Sequence, residues 1–344
     1  MTRLPQPIRL ALIGAGRIGT HHAAALQRHV HRADLVAVAD AHADAAHRLG
    51  ADLGVRTVSL DAVFDHDAID AVVITASSVA HHDLITRAAA ADKAVFCEKP
   101  AGMSLADIRG ATQACQAAGV PFQVGFNRRF ARDFAAAYEV IDAGGVGTVQ
   151  LMRSVTRDPG LANPAAVPPG TIFTQTLIHD FDTLLWLNPG AEPVEVHTYA
   201  DALVAPDFRE QGLLDTAVVT IRFDNGAIAT AEANFSASYG YDVRGEVFGS
   251  EGMVTIGGPA NLSLARWDAD GMNRRTARSD TDLLHEAYVA EFDAFCAAVA
   301  GDAEVRVGGQ QALAAFEVAL AAWRSADEGR RVPLAEVRAE AVVV

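Results

Sequence analysis

Lys99 sits in Phe96-Cys97-Glu98-Lys99-Pro100, where an apolar run ends. Strand ends in open α/β sheets border the crevice that takes a ligand. A lysine held there can lose solvation and exchange a proton with a substrate hydroxyl, although a solvated loop is the commoner setting for a lysine met alone. His179, in Ile178-His179-Asp180-Phe181-Asp182, precedes an apolar stripe at a helix start. Its imidazole can take a hydroxyl proton near neutral pH while hydride leaves the same carbon; a packed histidine is the plainer alternative. Asp180 and Asp182 equally suit the first turn of a helix, where acids complement the dipole. The hydride acceptor is suggested at the other end of the chain. The apolar run Ile8–Ile13 leads into Gly14-Ala15-Gly16-Arg17-Ile18-Gly19. Gly14 permits the tight turn, Gly16 lets backbone approach a pyrophosphate, and Gly19 allows close helix–strand packing. The following helix offers its free N-terminal amides to the phosphates. A second apolar run ends at Asp40, 21 residues after Gly19. An acid there accepts hydrogen bonds from the ribose hydroxyls of NAD and repels the 2′-phosphate of NADP.

Other polar clusters carry less. His21-His22 and His81-His82 come as pairs, but neighbouring side chains on a helix point apart and nothing at ligand spacing completes a tetrahedral set, so no metal is expected. Asn127 and Arg128, in Gly125-Phe126-Asn127-Arg128-Arg129-Phe130, follow a strand-like run; they are either charged and polar groups facing water or directional hydrogen-bonding groups for a polyhydroxylated ligand.

The elements needed to position these groups follow from the apolar pattern. Strand-like runs at 8–13, 35–39, 55–58, 71–75, 94–97 and 121–124 alternate with alanine-rich helical stretches at 20–29, 42–49, 80–91 and 104–118, the last with Ser104 as its cap. This is the pattern of a doubly wound dinucleotide-binding domain. Beyond it, runs at 146–156, 193–203, 213–223, 226–235 and 242–256 are separated by turn signals, with Asp224-Asn225-Gly226 marking a hairpin. Strands without intervening helices imply a large, mostly antiparallel open sheet in an α+β domain. Residues 156–172, rich in Pro and Gly, read as a long loop over a site, and helices near 281–300 and 308–328 close the chain. The expected division is 1–124 for the NAD-binding domain and 125–344 for substrate binding and oligomerisation.

The chain of 344 residues has room for two cores, with 50% hydrophobic and 21% charged residues. Its 28 basic and 43 acidic side chains give a net charge of −15, which argues against nucleic acid or an anionic membrane as partner. Cys97, Cys115 and Cys296 form no CxxC pair and suit a reduced, cytoplasmic setting as small core residues. The start, Met1 to Pro7, carries Pro5 and Pro7 before a six-residue apolar run, which is too short for a leader or a membrane span, so neither is expected.

Gly14–Gly19, Glu98-Lys99-Pro100, Gly125–Phe130 and His179-Asp180-Phe181-Asp182, in this order and approximate spacing, resemble the glucose–fructose oxidoreductase/inositol dehydrogenase (Gfo/Idh/MocA-type) family, and within it the inositol-dehydrogenase branch. Arg157-Asp158-Pro159 and Tyr239-Gly240-Tyr241-Asp242 add to the resemblance, which covers essentially the whole chain. It implies a Rossmann domain, a C-terminal domain with an open sheet, and commonly a tetramer built through that sheet. By matching position, it implies that Lys99 hydrogen-bonds the reacting hydroxyl and that His179 is the general base. NAD would be held by Gly14, Ala15, Gly16, Arg17, Ile18, Asp40, Thr75, Ala76, Ser77, His81, Glu98 and Lys99. Ala76 stands where the family usually has proline. Asn127, Arg128, Asp158 and Tyr241 would contact substrate. Four residues before the histidine the family usually has aspartate, and this chain has Gln175, which keeps a hydrogen bond but cannot stabilise an imidazolium as an anion would. The reading is NAD-dependent oxidation of a secondary hydroxyl of a small polyhydroxylated substrate, a cyclitol or sugar. A sugar 1-dehydrogenase, a keto-sugar reductase and a non-catalytic dinucleotide sensor stand as alternatives.

Overall fold

The computed structural model describes residues 6–260 and 264–340; the first five residues of the Met1–Pro7 stretch lie outside it. It divides into two compact units. The first comprises Met1–Asn127 and Glu286–Leu313, the second Arg128–His285 and Ala314–Val344. Both are discontinuous in sequence, unlike the two continuous segments expected.

In the first unit, β1 (Ile8–Ile13), β2 (Ala33–Ala39), β3 (Arg56–Thr57), β4 (Ala71–Ile74), β5 (Ala94–Cys97) and β6 (Phe122–Val124) form a parallel sheet in the order β3-β2-β1-β4-β5-β6. Strand order reverses beside β1, so the β1 and β4 ends form the switch point at which doubly wound sheets bind dinucleotides. All of β4 and β5 is buried, as expected for strands covered on both faces. The helix Leu105–Ala118 starts where Ser104 Oγ accepts a hydrogen bond from the Asp107 amide (3.1 Å). The helix His285–Val299 returns to this unit: Phe292, Phe295 and Cys296 join Leu10, Leu12, Val73 and Phe96 in one core. The three cysteines are free and buried, and burial pushes the Cys115 and Cys296 thiols up to about 12.

In the second unit, β7 (Val149–Arg157), β8 (Pro193–Asp201), β9 (Thr216–Phe223), β10 (Ile228–Asn234), β11 (Asp242–Gly249) and β12 (Met253–Gly257) form one sheet, with β15 (Val332–Pro333) at its edge; β13 (Ala265–Asp268) and β14 (Gly271–Arg274) make a separate hairpin. The order is β12-β11-β7-β10-β9-β8-β15, antiparallel except for β7 with β10. Alternation along the strands turns Ala217, Val219, Ile221 and Phe223 of β9 and Ala229, Ala231 and Ala233 of β10 inward. The run 242–256 is two strands, because the chain reverses at Gly249–Gly252, with Gly249 N bonded to Gly252 O (2.8 Å). The helix Arg132–Asp142 and the hairpin were not anticipated. Among the described residues no helix is long and apolar enough to cross a membrane.

Candidate active site

The glycine loop of the first unit is built by close backbone contact. Gly14 has φ +108°, and a Cβ there would lie 2.5 Å from Ala76 N; one at Gly19 would lie 1.9 Å from Gly14 O. Thr75, buried, donates its hydroxyl to Gly14 O (2.7 Å), tying the end of β4 to the loop. Gly16, by contrast, is exposed, and a Cβ on it would meet nothing within 4 Å. It caps the helix Arg17–His29, which has no side-chain cap and no acid in its first turn. A helix start of this kind suits an external anion. Asp40, half-buried at the end of β2, accepts hydrogen bonds from Ala15 N (2.6 Å) and His42 N (2.7 Å). Each carboxylate oxygen keeps a lone pair for a ribose hydroxyl. These residues fit a dinucleotide: Gly16 and the helix it caps would hold the pyrophosphate, and Asp40 would hold a ribose.

Two other residues expected at the cofactor are placed differently. His81 is 1% exposed, with its ring nitrogens 2.7 Å from Pro100 O and 3.0 Å from Ala76 O. Burial lowers its pKa despite both carbonyls. Its side chain is a strut between the loops that follow β4 and β5, with little surface left open. Glu98 is 8% exposed and turns inward: Oε1 bonds His22 Nε2 (2.7 Å), and Oε2 accepts from the Lys99 amide (3.1 Å). Lys99 is half-buried between these two braced residues and Pro100, while Ala76 is half-buried and Ser77 exposed.

In the second unit, His179 lies in the first turn of the helix Ile178–Trp186. Asp180 and Asp182 do more there than complement the dipole. Asp180, fully buried, accepts from Arg128 (2.8 and 3.4 Å), Ser154 (2.6 Å) and Thr156 (2.7 Å). Asp182 forms a two-pronged pair with Arg129 (2.7 and 2.9 Å). Arg128 also reaches Thr156 Oγ1 (2.6 Å) and Ser154 Oγ (3.3 Å) and is 2% exposed. Both terminal nitrogens of its guanidinium are thus committed to a buried network. The network gives Arg128 a structural role that its sequence position did not reveal, and its enclosure leaves little surface for the substrate contact expected of it. Ser154 and Thr156 alternate inward on β7, which is why they meet Asp180. Asn127 is buried just before this segment, at the end of the first unit.

Tyr241 and Asp158 come together near Arg128. Burial pushes the Tyr241 phenol well above its usual range, the Asp158 carboxylate adds to this, and Arg128 opposes it. Asp158 is set by backbone bonds of its own amide to Asn234 O (2.9 Å) and of its carbonyl to Ala237 N (2.8 Å). Gln175 lies in a π-helical turn, Ile172–Thr176, closed by Leu177 N on Ile172 O (2.8 Å). Such turns are rare and frequent at functional sites; the four residues from Gln175 to His179 run from this π turn into the α-helix. Two participants were missed. His22 and Glu291 meet Glu98 in the first unit, their ligand-type atoms all within 4.8 Å. The available signal was Glu291 itself, a charge with Tyr288 and Phe295 at helical spacing on its own face and Phe292 next in the chain.

The N-terminal model of the Gfo/Idh/MocA oxidoreductases, an NAD-binding Rossmann fold, matches residues 8–126, and the model of their C-terminal α/β domain matches residues 139–334. The chain belongs to this family. Inositol 2-dehydrogenase of Rhizobium meliloti is 36% identical over 95% of this chain and 99% of its own length. The NAD(+)-dependent scyllo-inositol 2-dehydrogenase of Bacillus subtilis is 35% identical over 96% and 98%. The crystal structure of scyllo-inositol dehydrogenase from Lactobacillus casei, with NAD(H) and scyllo-inositol bound, superposes with a TM-score of 0.91 at 27% identity, covering 96% of this chain and all of that one. The Rossmann sheet, the glycine loop and the mixed C-terminal sheet described above are those of an NAD-dependent family member.

Proposed function

We propose that this chain is an NAD-dependent dehydrogenase that oxidises a secondary hydroxyl of a cyclitol of the inositol type to the ketone. Full-length similarity to inositol dehydrogenases carries the reading, together with retention of both Lys99 and His179. When bound, the nicotinamide accepts the hydride. The chain itself manages the proton. Lys99, its amide fixed on Glu98 and its neighbour Pro100 braced by His81, hydrogen-bonds the reacting hydroxyl. His179, on a helix pinned by two arginine–carboxylate pairs, takes the hydroxyl proton. Asp158, Tyr241 and Asn127 orient the remaining hydroxyls, and orientation of this kind supplies much of the rate. Gln175 contributes a hydrogen bond without a charge. The enzyme acts in the cytoplasm, a setting that suits three free cysteines.

We further read the protein as a homotetramer assembled through the second sheet. Met253, Phe248, Leu151 and Ile228 are in-register neighbours across four strands, and each is 42–54% exposed. An apolar row of this kind on an open sheet suits contact with another protein surface.

A screen of myo-inositol, scyllo-inositol and aldoses with NAD, followed at the nicotinamide absorbance, tests the assignment. Turnover on cyclitols is expected; turnover on aldoses alone would replace it with a sugar 1-dehydrogenase. In the active assay, Lys99→Ala and His179→Ala should each lower kcat by about 10²-fold or more, the range of acid–base groups. NAD binding should be retained. Near-normal turnover of the His179 variant would remove His179 as the base, and NAD binding without turnover on any polyol would favour a sensor.

A further inference from the structure

The cluster of His22, Glu98 and Glu291 lies inside the first unit, against the strand end that carries Lys99. His22 and Glu291 are fully buried and Glu98 nearly so. They come from the helix Arg17–His29, the end of β5 and the helix His285–Val299. An aromatic shell encloses them: the His22 ring meets Phe292 edge-on at 4.9 Å, Tyr288 at 5.1 Å and Phe96 at 6.3 Å. On the remaining side, a Cβ at Gly125 would sit 3.2 Å from the Glu98 carboxyl.

We propose that His22, Glu98 and Glu291 act as one buried acid–base cluster that positions Lys99 and sets the charge on its side chain. Two carboxyl groups in one apolar enclosure cannot both be ionised, and their hydrogen bonding decides between them. Glu98 has two donors, His22 Nε2 and the Lys99 amide. Neither oxygen of Glu291 has a hydrogen-bond partner among the described residues. Burial opposes ionisation of Glu98, but the hydrogen bond from His22 and the His22 charge, followed by the Lys99 charge and the Lys99 amide, outweigh it, so Glu98 titrates below the usual carboxylate range. Burial, and then the Glu98 charge, push Glu291 far upward. The cluster therefore holds one anion, on Glu98, which favours the ammonium form of Lys99. Other titratable groups around the cluster, among the described residues, include His21 and Tyr288 beside the His22 ring, His81, whose burial disfavours its charge, and the Cys97 thiol, which burial raises.

A metal ion is the competing occupant of two carboxylates and an imidazole. The 2.7 Å separation of His22 Nε2 and Glu98 Oε1 is that of a direct hydrogen bond. Tetrahedral zinc with bonds of about 2.1 Å would hold its ligand atoms about 3.4 Å apart. The geometry favours a proton.

Glu98, His22 and Glu291 are thus positioning residues that act through Lys99. The proposal draws its functional meaning from the role of Lys99 in proton transfer, but its test needs neither substrate nor cofactor. Lys93 and Lys99 are the only lysines in the sequence, so peptide mapping after brief modification with an amine-reactive reagent reads Lys99 directly. Measured against pH on the intact protein, the Lys99 modification midpoint should fall by about one unit in Glu98→Gln, a tenfold change in free amine at fixed pH. His22→Leu should shift it in the same direction because Glu98 then loses its donor, and His22→Gln, which keeps a donor, should restore it. Glu291→Gln, an isostere of the protonated acid, should leave the midpoint in place. Loosened structure alone would change the extent of modification and not its midpoint. The proposal fails if the midpoint is unmoved in folded Glu98→Gln and His22→Leu, or if Glu291→Gln moves it as far as Glu98→Gln. It also fails if the wild-type protein carries a stoichiometric metal that Glu291→Gln loses. If Glu98→Gln does not fold, the His22 pair decides the outcome. Absence of cyclitol turnover with the expected midpoint shifts would overturn the proposed substrate and leave the cluster standing.

Discussion

Asp40 combines two tasks in one carboxylate. It holds the amides of Ala15 and His42, and so shapes the glycine loop; in the proposed cofactor site it would also set negative charge beside a 2′-phosphate. No arginine follows it directly (Ala41, His42) to offset that charge. Catalytic efficiency should therefore be higher with NAD than with NADP. Asp40→Ala should narrow the gap by removing the repulsion, and efficiency with NAD should also drop because the Ala15 amide loses its acceptor. Steady-state kinetics with both cofactors checks this; a wild-type preference for NADP would refute the role of Asp40.

At the scale of elements, the helix Ile178–Trp186 and the π turn before it decide what His179 can do. Arg128 and Arg129 clamp the helix one and three residues beyond His179, and the Arg128–Asp180 pair is fully buried with Ser154 and Thr156 completing it. Removing one partner leaves the other charge buried and uncompensated. Arg128→Ala should destabilise the fold by about 3–5 kcal/mol, read from the denaturant midpoint, with activity lost through helix displacement. A stability loss under about 1 kcal/mol would instead return Arg128 to a role in ligand contact. Gln175 is a different case. An anion near an imidazole favours its charged form and raises its pKa. Because the base must be unprotonated to act, Gln175→Asp should move the acid limb of the kcat/KM profile to higher pH. A changed ranking of cyclitols with an unmoved limb would mean that Gln175 addresses a substrate hydroxyl. If neither changes, the π turn holds this side chain away from both.

Across the whole molecule, the two units carry different burdens. The first holds the cofactor elements on a sheet buried on both faces. The second uses one sheet face to support the His179 helix and leaves an apolar row on the other, and that row is where assembly is expected. A charge set into it, as in Leu151→Glu or Phe248→Glu, faces the cost of burying an unpaired carboxylate in any interface. Light scattering after size exclusion should show a smaller species for either variant, with NAD binding by the first unit kept. An unchanged mass would place assembly elsewhere.

The sequence by itself determined the elements and the kind of cofactor site. Period, turn chemistry and the glycine–acid spacing are local properties, which is why β1, the glycine loop, Asp40, the Ser104 cap and the Asp224-Asn225-Gly226 hairpin were all legible. Short or unmarked elements were not: β3 shrank to Arg56–Thr57, and the helix Arg132–Asp142 went unseen because it follows no clear start signal. The surroundings of the polar residues were decided only by tertiary structure. Arg128 meets Asp180 across 52 residues of chain, and His22 meets Glu98 across 76. His81 and Glu98 sit beside the expected cofactor loops in sequence yet point inward. Whether a charged side chain meets ligand, solvent or a buried counter-charge depends on which distant segments pack against it, and one-dimensional spacing does not contain that. The return of the helix His285–Val299 to the first unit, bringing Glu291 with it, follows from the same long-range packing.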